Sequence, residues 1–231
     1  MLRNGLYLVA QMSVRASGDE AAAHWEKALV LGSLREDILF VPLLHRLTEY
    51  PSFSHFYRPG LPGGYLPLLW PGPRSAVDRL YARALREHRA GRQASAYVSL
   101  GRILHIVTDV CIPSHANRVA HDSDPFEWYV EGNLDTLRAL PIPALPQPAA
   151  SARRPSALVE SLARTASRFR PDGTNHPLGR LLRRAGLRRK VTAREAADQA
   201  KTLIPLAAAH GAGVLTMFAR DLLSGVVRSA T

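Results

Sequence analysis

The sequence predicts an all-α protein, a single multi-helix domain built around one buried site, and three observations carry that expectation. Ala, Leu and Arg dominate the 231 residues, hydrophobic residues make up 46% of them, and β-branched and aromatic runs are sparse, a composition that suits helices over sheets. Apolar residues recur at helical spacing in several segments. No internal repeat or sustained heptad is visible, which excludes solenoids and long coiled coils. A chain of this length can bury one sizeable core, and five to seven helices around one site are expected.

The opening MLRNGLYLVAQMSVRASGDE places Arg3 before an apolar stretch that Gln11 interrupts. It is short for the core of a secretory leader, so an export signal is only weakly indicated. No run approaches the roughly 20 apolar residues that cross a bilayer, and a soluble or peripheral chain is expected. Residues 20–34 read as a helix ending near Gly32. Pro42, Pro51, Pro59, Pro62, Gly63, Gly64, Pro67, Pro71, Gly72 and Pro73 then punctuate an irregular stretch. Ser75 is placed to cap a helix over 76–90, where Val77, Leu80, Tyr81, Ala84 and Leu85 share a face and Gly91 ends the run. Further helices are expected over 94–110, 126–139, 156–169 and 192–224, the last kinked or divided at Pro205. The segment PIPALPQPAASARRP is the one convincing break. It divides the chain into a helical region carrying the site (1–140), a Pro-rich linker (141–155), and a basic segment with C-terminal helices (156–231) that pack on the same domain.

The net charge of +11 is concentrated: residues 151–194 hold twelve Arg and Lys against two Asp and Glu. Such a block attracts an anionic membrane surface or a nucleic-acid backbone, although an Arg-biased solvated segment would look the same. Cys111 is the single cysteine, so no disulfide framework exists and the residue is expected to pack as a small apolar group.

The chemistry concentrates in GRILHIVTDVCIPSHANRVAHDSDPFEWYVEGN, where three of the nine histidines fall within 17 residues and interleave with carboxylates. His105 and Asp109 are four apart, so both project from one face of the expected helix. His115 follows Pro113, where that helix must loosen, and His121 and Glu127 extend the row of nitrogen and oxygen donors that zinc accepts. Any one of these histidines alone would more often be a core or surface residue than a ligand. A helix reading LHIVTDV, however, buries both His105 and Asp109, and a buried carboxylate is costly unless paired or bound to metal. The cluster is therefore read as a metal site.

AYVSLGRILHIVTDVCIPSHANR, with His, three residues, Asp, five residues, His and a short Ala-Asn turn, resembles the zinc-dependent phospholipase C family. FSHFYRPG resembles that family's Ser-His-Phe-Tyr segment, SLREDI its Glu-Asp element, and DPFEWYVEGN the start of its Glu-bearing helix. The resemblance covers residues 30–135 by motif and the last helix by general character. It implies one zinc held by Asp37, His55, His105 and Asp109, a second held by His115, His121 and Glu127, and Asp109 bridging towards a third, hence two or three ions. There are two departures. The gap from His121 to Glu127 is six residues where the family has four, so Asp122 or Asp124 could take the place of His121. The family's third metal uses the backbone of an N-terminal Trp and an upstream His, and only His24 and Trp25 lie upstream here.

What the resemblance implies is phosphodiester hydrolysis at phospholipid head groups, giving diacylglycerol and a phosphorylated head group, with Asp37 orienting the attacking water or accepting its proton. It also favours a secreted or periplasmic location. The substrate would be a phospholipid or another phosphodiester, with peripheral membrane contact through the basic 151–194 segment and no protein partner implied. A single-strand-type zinc nuclease shares the His, Asp, His spacing, and Phe53, Phe56, Tyr57, Tyr65 and Trp70 would suit a lipid, a base or simple packing. A non-catalytic metal-binding relative is the third reading. His45, His88 and His176 are expected to be solvated, and His210, beside Gly211 and Gly213, to be structural.

Overall fold

The computed structural model describes residues 1–38, 56–61, 72–119, 124–147, 149–172, 181, 183–185 and 189–229, without the side chains of 36–38 and 225–229. Within them the regular structure is helical: α1 (Arg3–Ser17), α2 (Glu20–His24), α3 (Glu26–Ile38), α4 (Pro73–Arg89), α5 (Gln93–Val110), α6 (Pro113–Ala116), α7 (Pro125–Gly132), α8 (Leu134–Arg138), α9 (Pro155–Ala166) and α10 (Ala193–Ser229), with a 3-10 turn at Ala149–Ser151.

The core is organised around α5, in which every residue from Ser99 to Val110 is buried. It packs against α1, α3, α4, α9 and α10. Ile103, Leu104, Ile106 and Val107 have no exposed surface, and full burial of such side chains contributes about 1.5–3 kcal/mol each. The closest crossing is with α3. A Cβ added to Gly32 would lie 2.1 Å from the Val98 carbonyl oxygen, and one added to Gly101 would lie 2.0 Å from that of Leu29. Two glycines thus let the two backbones touch. Gly32, expected to end its helix, instead lies inside α3 and serves this contact.

Other elements differ from the sequence reading for local reasons. The first segment is α1, a core helix. Leu6, Leu8, Val9, Ala10 and Met12 are buried, and the interrupting Gln11 is absorbed by a 2.9 Å hydrogen bond from its Nε2 to Glu26 Oε1. The 20–34 helix is divided at Trp25, and the 126–139 helix at Asn133. Helix α4 begins earlier than expected, with Pro73 in its first turn, where a missing N–H costs nothing. Helix α10 runs through Pro205 without ending there. The carbonyl that Pro205 cannot bond belongs to Lys201, an exposed position that water can reach. Residues 193–224 are long enough to cross a membrane and contain a window of mean hydropathy 1.5, but 72% of that window is buried inside the fold.

Candidate metal centre

The candidate centre is built by the end of α5 and the start of α6 and α7. Helix α5 stops at Val110, and Pro113 opens the single turn of α6, so the chain bends as the proline dictates and His115 is carried back towards Asp109. Asn117 ends that turn, and Arg118 adopts a left-handed φ of 53° while its N–H donates to the His115 carbonyl at 3.1 Å, closing the turn on α6. Asp124 caps α7 by accepting the Phe126 N–H at 2.8 Å and also accepts a short hydrogen bond from the Ser114 hydroxyl. That cap sets Glu127 in the first turn of α7, where it is 9% exposed.

Asp109 is the hub. It has no exposed surface, and His105 Nε2 lies 3.1 Å from its Oδ2 while His115 Nδ1 lies 3.9 Å from its Oδ1. On the other side of the His105 ring, Nδ1 is 2.8 Å from the Ser33 carbonyl oxygen. A carbonyl only accepts, so Nδ1 carries the proton and donates it. In the neutral ring Nε2 then presents a lone pair to a carboxylate oxygen, and two acceptors at that distance need a proton or a cation between them. The Ser33 contact depends on the close approach of α3 and α5 at Gly32 and Gly101.

The α-amino group of Met1 joins the same cluster, 3.0 Å from Asp109 Oδ1 and 2.9 Å from Glu127 Oε1. Helix α1 is fixed there by Glu131, which accepts from the Asn4 side chain at 2.5 Å and from the Gly5 N–H at 3.3 Å. This contact was not legible in the sequence, because nothing local in MLRNG signals proximity to residues more than a hundred positions away. Cys111 lies beside the cluster, but burial pushes its thiol up, so it remains a protonated apolar neighbour.

The search of protein-family models returned no match. A curated "Phospholipase C" from Listeria monocytogenes is 29% identical over 87 residues, which cover 37% of this chain and 30% of that protein. The alpha-toxin of Clostridium perfringens, from an avian strain, superposes with a TM-score of 0.70 at 17% identity, over 96% of this chain and 64% of the toxin. The alpha-toxin of Clostridium absonum gives 0.67 at 17% identity, over 95% and 66%. The chain has the alpha-toxin fold. The resemblance to the phospholipase C family read from the sequence is matched by both comparisons, and the chain spans less than two thirds of the length of each of these relatives.

On that fold, His105, Asp109, His115 and Glu127 converge at one place. Asp37 falls near the end of α3, with its side chain outside the described residues, and His55 and His121, like Asp122, lie outside them altogether. Asp124 is committed to its helix cap. His24 is exposed and stands edge-on to Trp25 at 5.1 Å, while Trp25 stacks on Tyr97 at 5.9 Å, near the opposite end of α5 from Asp109. Among the described residues no three His, Cys, Asp or Glu side chains form a ready group for an ion. The donors nonetheless fit a cation in two respects: the Met1 ammonium already stands between Asp109 and Glu127, and the His105–Asp109 pair needs a proton or a cation between its two facing atoms.

Proposed function

We propose that this chain is a zinc-dependent phosphodiester hydrolase of phospholipase C type, acting on phospholipid head groups. The observation that carries the reading is the orientation of His105: Nδ1 is held by the Ser33 carbonyl and Nε2 is aimed at buried Asp109. A backbone carbonyl that accepts from the far nitrogen of a ligating histidine, and so fixes its tautomer, is a recurrent feature of zinc sites. The likeness to a phospholipase C and to two alpha-toxins supports the choice of reaction.

In this reading Asp109, His105, His115 and Glu127 hold zinc, with Asp37, His55 and His121 completing the set that the family resemblance implies. Bound zinc polarises a phosphoryl oxygen and lowers the pKa of a water to the neutral range. The chain supplies the rest. Helix α5 fixes Asp109 and His105 on one rigid face, and Phe56 covers His115 with ring centroids 4.9 Å apart. Asp37, on the family resemblance, orients the attacking water or accepts its proton. The two acidic ligands Asp109 and Glu127 offset part of the charge of the ions. Of the aromatic residues that would suit a lipid or a base, Tyr57 is 2% exposed and Phe56 is engaged with His115, while Phe53, Tyr65 and Trp70 lie outside the described residues; the choice of a lipid rests on the likeness to a phospholipase C.

The test is elemental analysis of purified protein beside diacylglycerol release from phospholipid vesicles and cleavage of single-stranded DNA. Two or three zinc ions with diacylglycerol release are expected. Asp109→Asn should keep the helical circular dichroism and lose zinc and at least about 100-fold of the activity, more than loss of an outer-shell partner costs. Metal-free wild-type protein, or release undiminished in Asp109→Asn, would overturn the reading.

A further inference from the structure

One segment of chain away from His115 lies a pocket of about 800 Å³ whose chemistry the hydrolytic reading does not use. The two are joined by the Tyr57 segment, since the Tyr57 N–H donates to the His115 carbonyl at 2.9 Å. The pocket is walled by Tyr57, Glu160 and four guanidinium groups, those of Arg74, Arg153, Arg154 and Arg164. The two carboxylates among its described lining residues are already engaged. Glu160 receives a short hydrogen bond from the Tyr57 hydroxyl and pairs with Arg164 at 2.8 Å and Arg74 at 3.9 Å. Asp78 accepts the Ser156 N–H at 3.2 Å.

Arg153 and Arg154, by contrast, make no ion pair or side-chain hydrogen bond among the described residues. They are exposed on the pocket wall just before α9. Among the described residues four guanidiniums stand against two carboxylates, which makes this wall positive, and two planar forks with no carboxylate partner among those residues match phosphate geometry. The start of α9 adds little itself, because Pro155 has no N–H and Ser156 has given its own to Asp78. The Tyr57 hydroxyl, pushed up to about 12 by burial and by Glu160, stays neutral and keeps Glu160 in place.

We infer that this pocket receives a second anionic group of the substrate, so that the preferred lipid carries a further phosphate on its head group while the scissile phosphodiester lies at Asp109. The inference rests on the phospholipase reading for its lipid and on the pocket alone for its anion. A volume of this size holds one head group. A single strand would instead need a run of stacking platforms, and Tyr57 is the pocket's one aromatic residue among those described, its hydroxyl tied to Glu160. A choline head group would meet guanidiniums of its own sign.

Two measurements on the full chain with excess zinc separate the parts. In calorimetric titration with inositol 1,4-bisphosphate, the exposed double variant Arg153→Ala/Arg154→Ala should weaken binding about tenfold or more. Arg189→Ala/Arg194→Ala, which removes the same charge from the same basic segment outside the pocket, should leave it unchanged. In vesicle assays, kcat/KM for phosphatidylinositol 4-phosphate should exceed that for phosphatidylcholine, and the pocket variant should abolish the preference through KM. Binding that is indifferent to Arg153 and Arg154, or lost equally in the control, overturns the pocket. Arginine-dependent binding without lipid cleavage leaves the pocket standing and removes the phospholipase reading. Arginine-dependent cleavage of single-stranded DNA with no lipid cleavage overturns the assignment of a lipid.

Discussion

His210 shows how one buried side chain sets a pH dependence. It has no exposed surface; its Nδ1–H donates to the Leu206 carbonyl at 2.8 Å, and its Nε2 lies 3.4 Å from the Ser161 hydroxyl. Burial lowers its pKa and holds the ring neutral. The unfolded chain binds a proton near the ordinary value of about 6.5, while the folded chain resists it until lower pH. Stability from this group is therefore complete above that value and declines as pH falls, by at most about 1.4 kcal/mol per pH unit. Urea midpoints measured from pH 8 to 5.5 should fall in wild type, and His210→Gln should flatten the part of the curve below pH 6.5. A wild-type profile steeper than the variant's only above pH 7 would contradict this assignment. His210 was read from the sequence as structural because its neighbours are small, and Gly211 does pack against Ser13, whose hydroxyl would lie 2.2 Å from an added Cβ.

At the scale of elements, the α3–α5 crossing couples stability to the candidate centre. Neither Gly32 nor Gly101 can gain a methyl group without separating two backbones, and the same approach brings the Ser33 carbonyl to His105 Nδ1. Gly101→Ala should cost about 1–3 kcal/mol, as overpacking of a filled core does, and should lower zinc affinity because the imidazole loses its orienting carbonyl. Gly132→Ala is the contrasting case. Nothing lies within 4 Å of a Cβ added there, so chemical denaturation should show it neutral or stabilised by up to about 1 kcal/mol. Equal destabilisation by the two substitutions would show that the close crossing is not the cause. In the sequence Gly32 looked like a helix terminator, since a single chain cannot reveal that a second helix will lie against it.

At the scale of the whole molecule, buried Asp109 and Glu127 tie α1, α5 and α7 together through shared charge. A cation bound there by the folded state alone raises the apparent stability by mass action, about 2.7 kcal/mol when the ligand is a hundredfold above its Kd. Thermal unfolding should therefore move down on chelation and return on adding zinc, with a midpoint that rises with zinc concentration. An unchanged midpoint would count against a bound cation at these carboxylates. The amino-acid sequence by itself determined the helical class, the bend at Pro113 and the approach of His105 to Asp109, because periodicity, proline geometry and i, i+4 spacing are local properties. It also marked the excess of positive charge, which is a property of composition. Only the tertiary structure decided that Met1 meets residues 109 and 127, that two glycines bring a carbonyl to His105, and that Arg153 and Arg154 face a pocket beside Tyr57. Those contacts join positions far apart in the chain, and their energies appear only after helices with no local reason to meet have packed on one core.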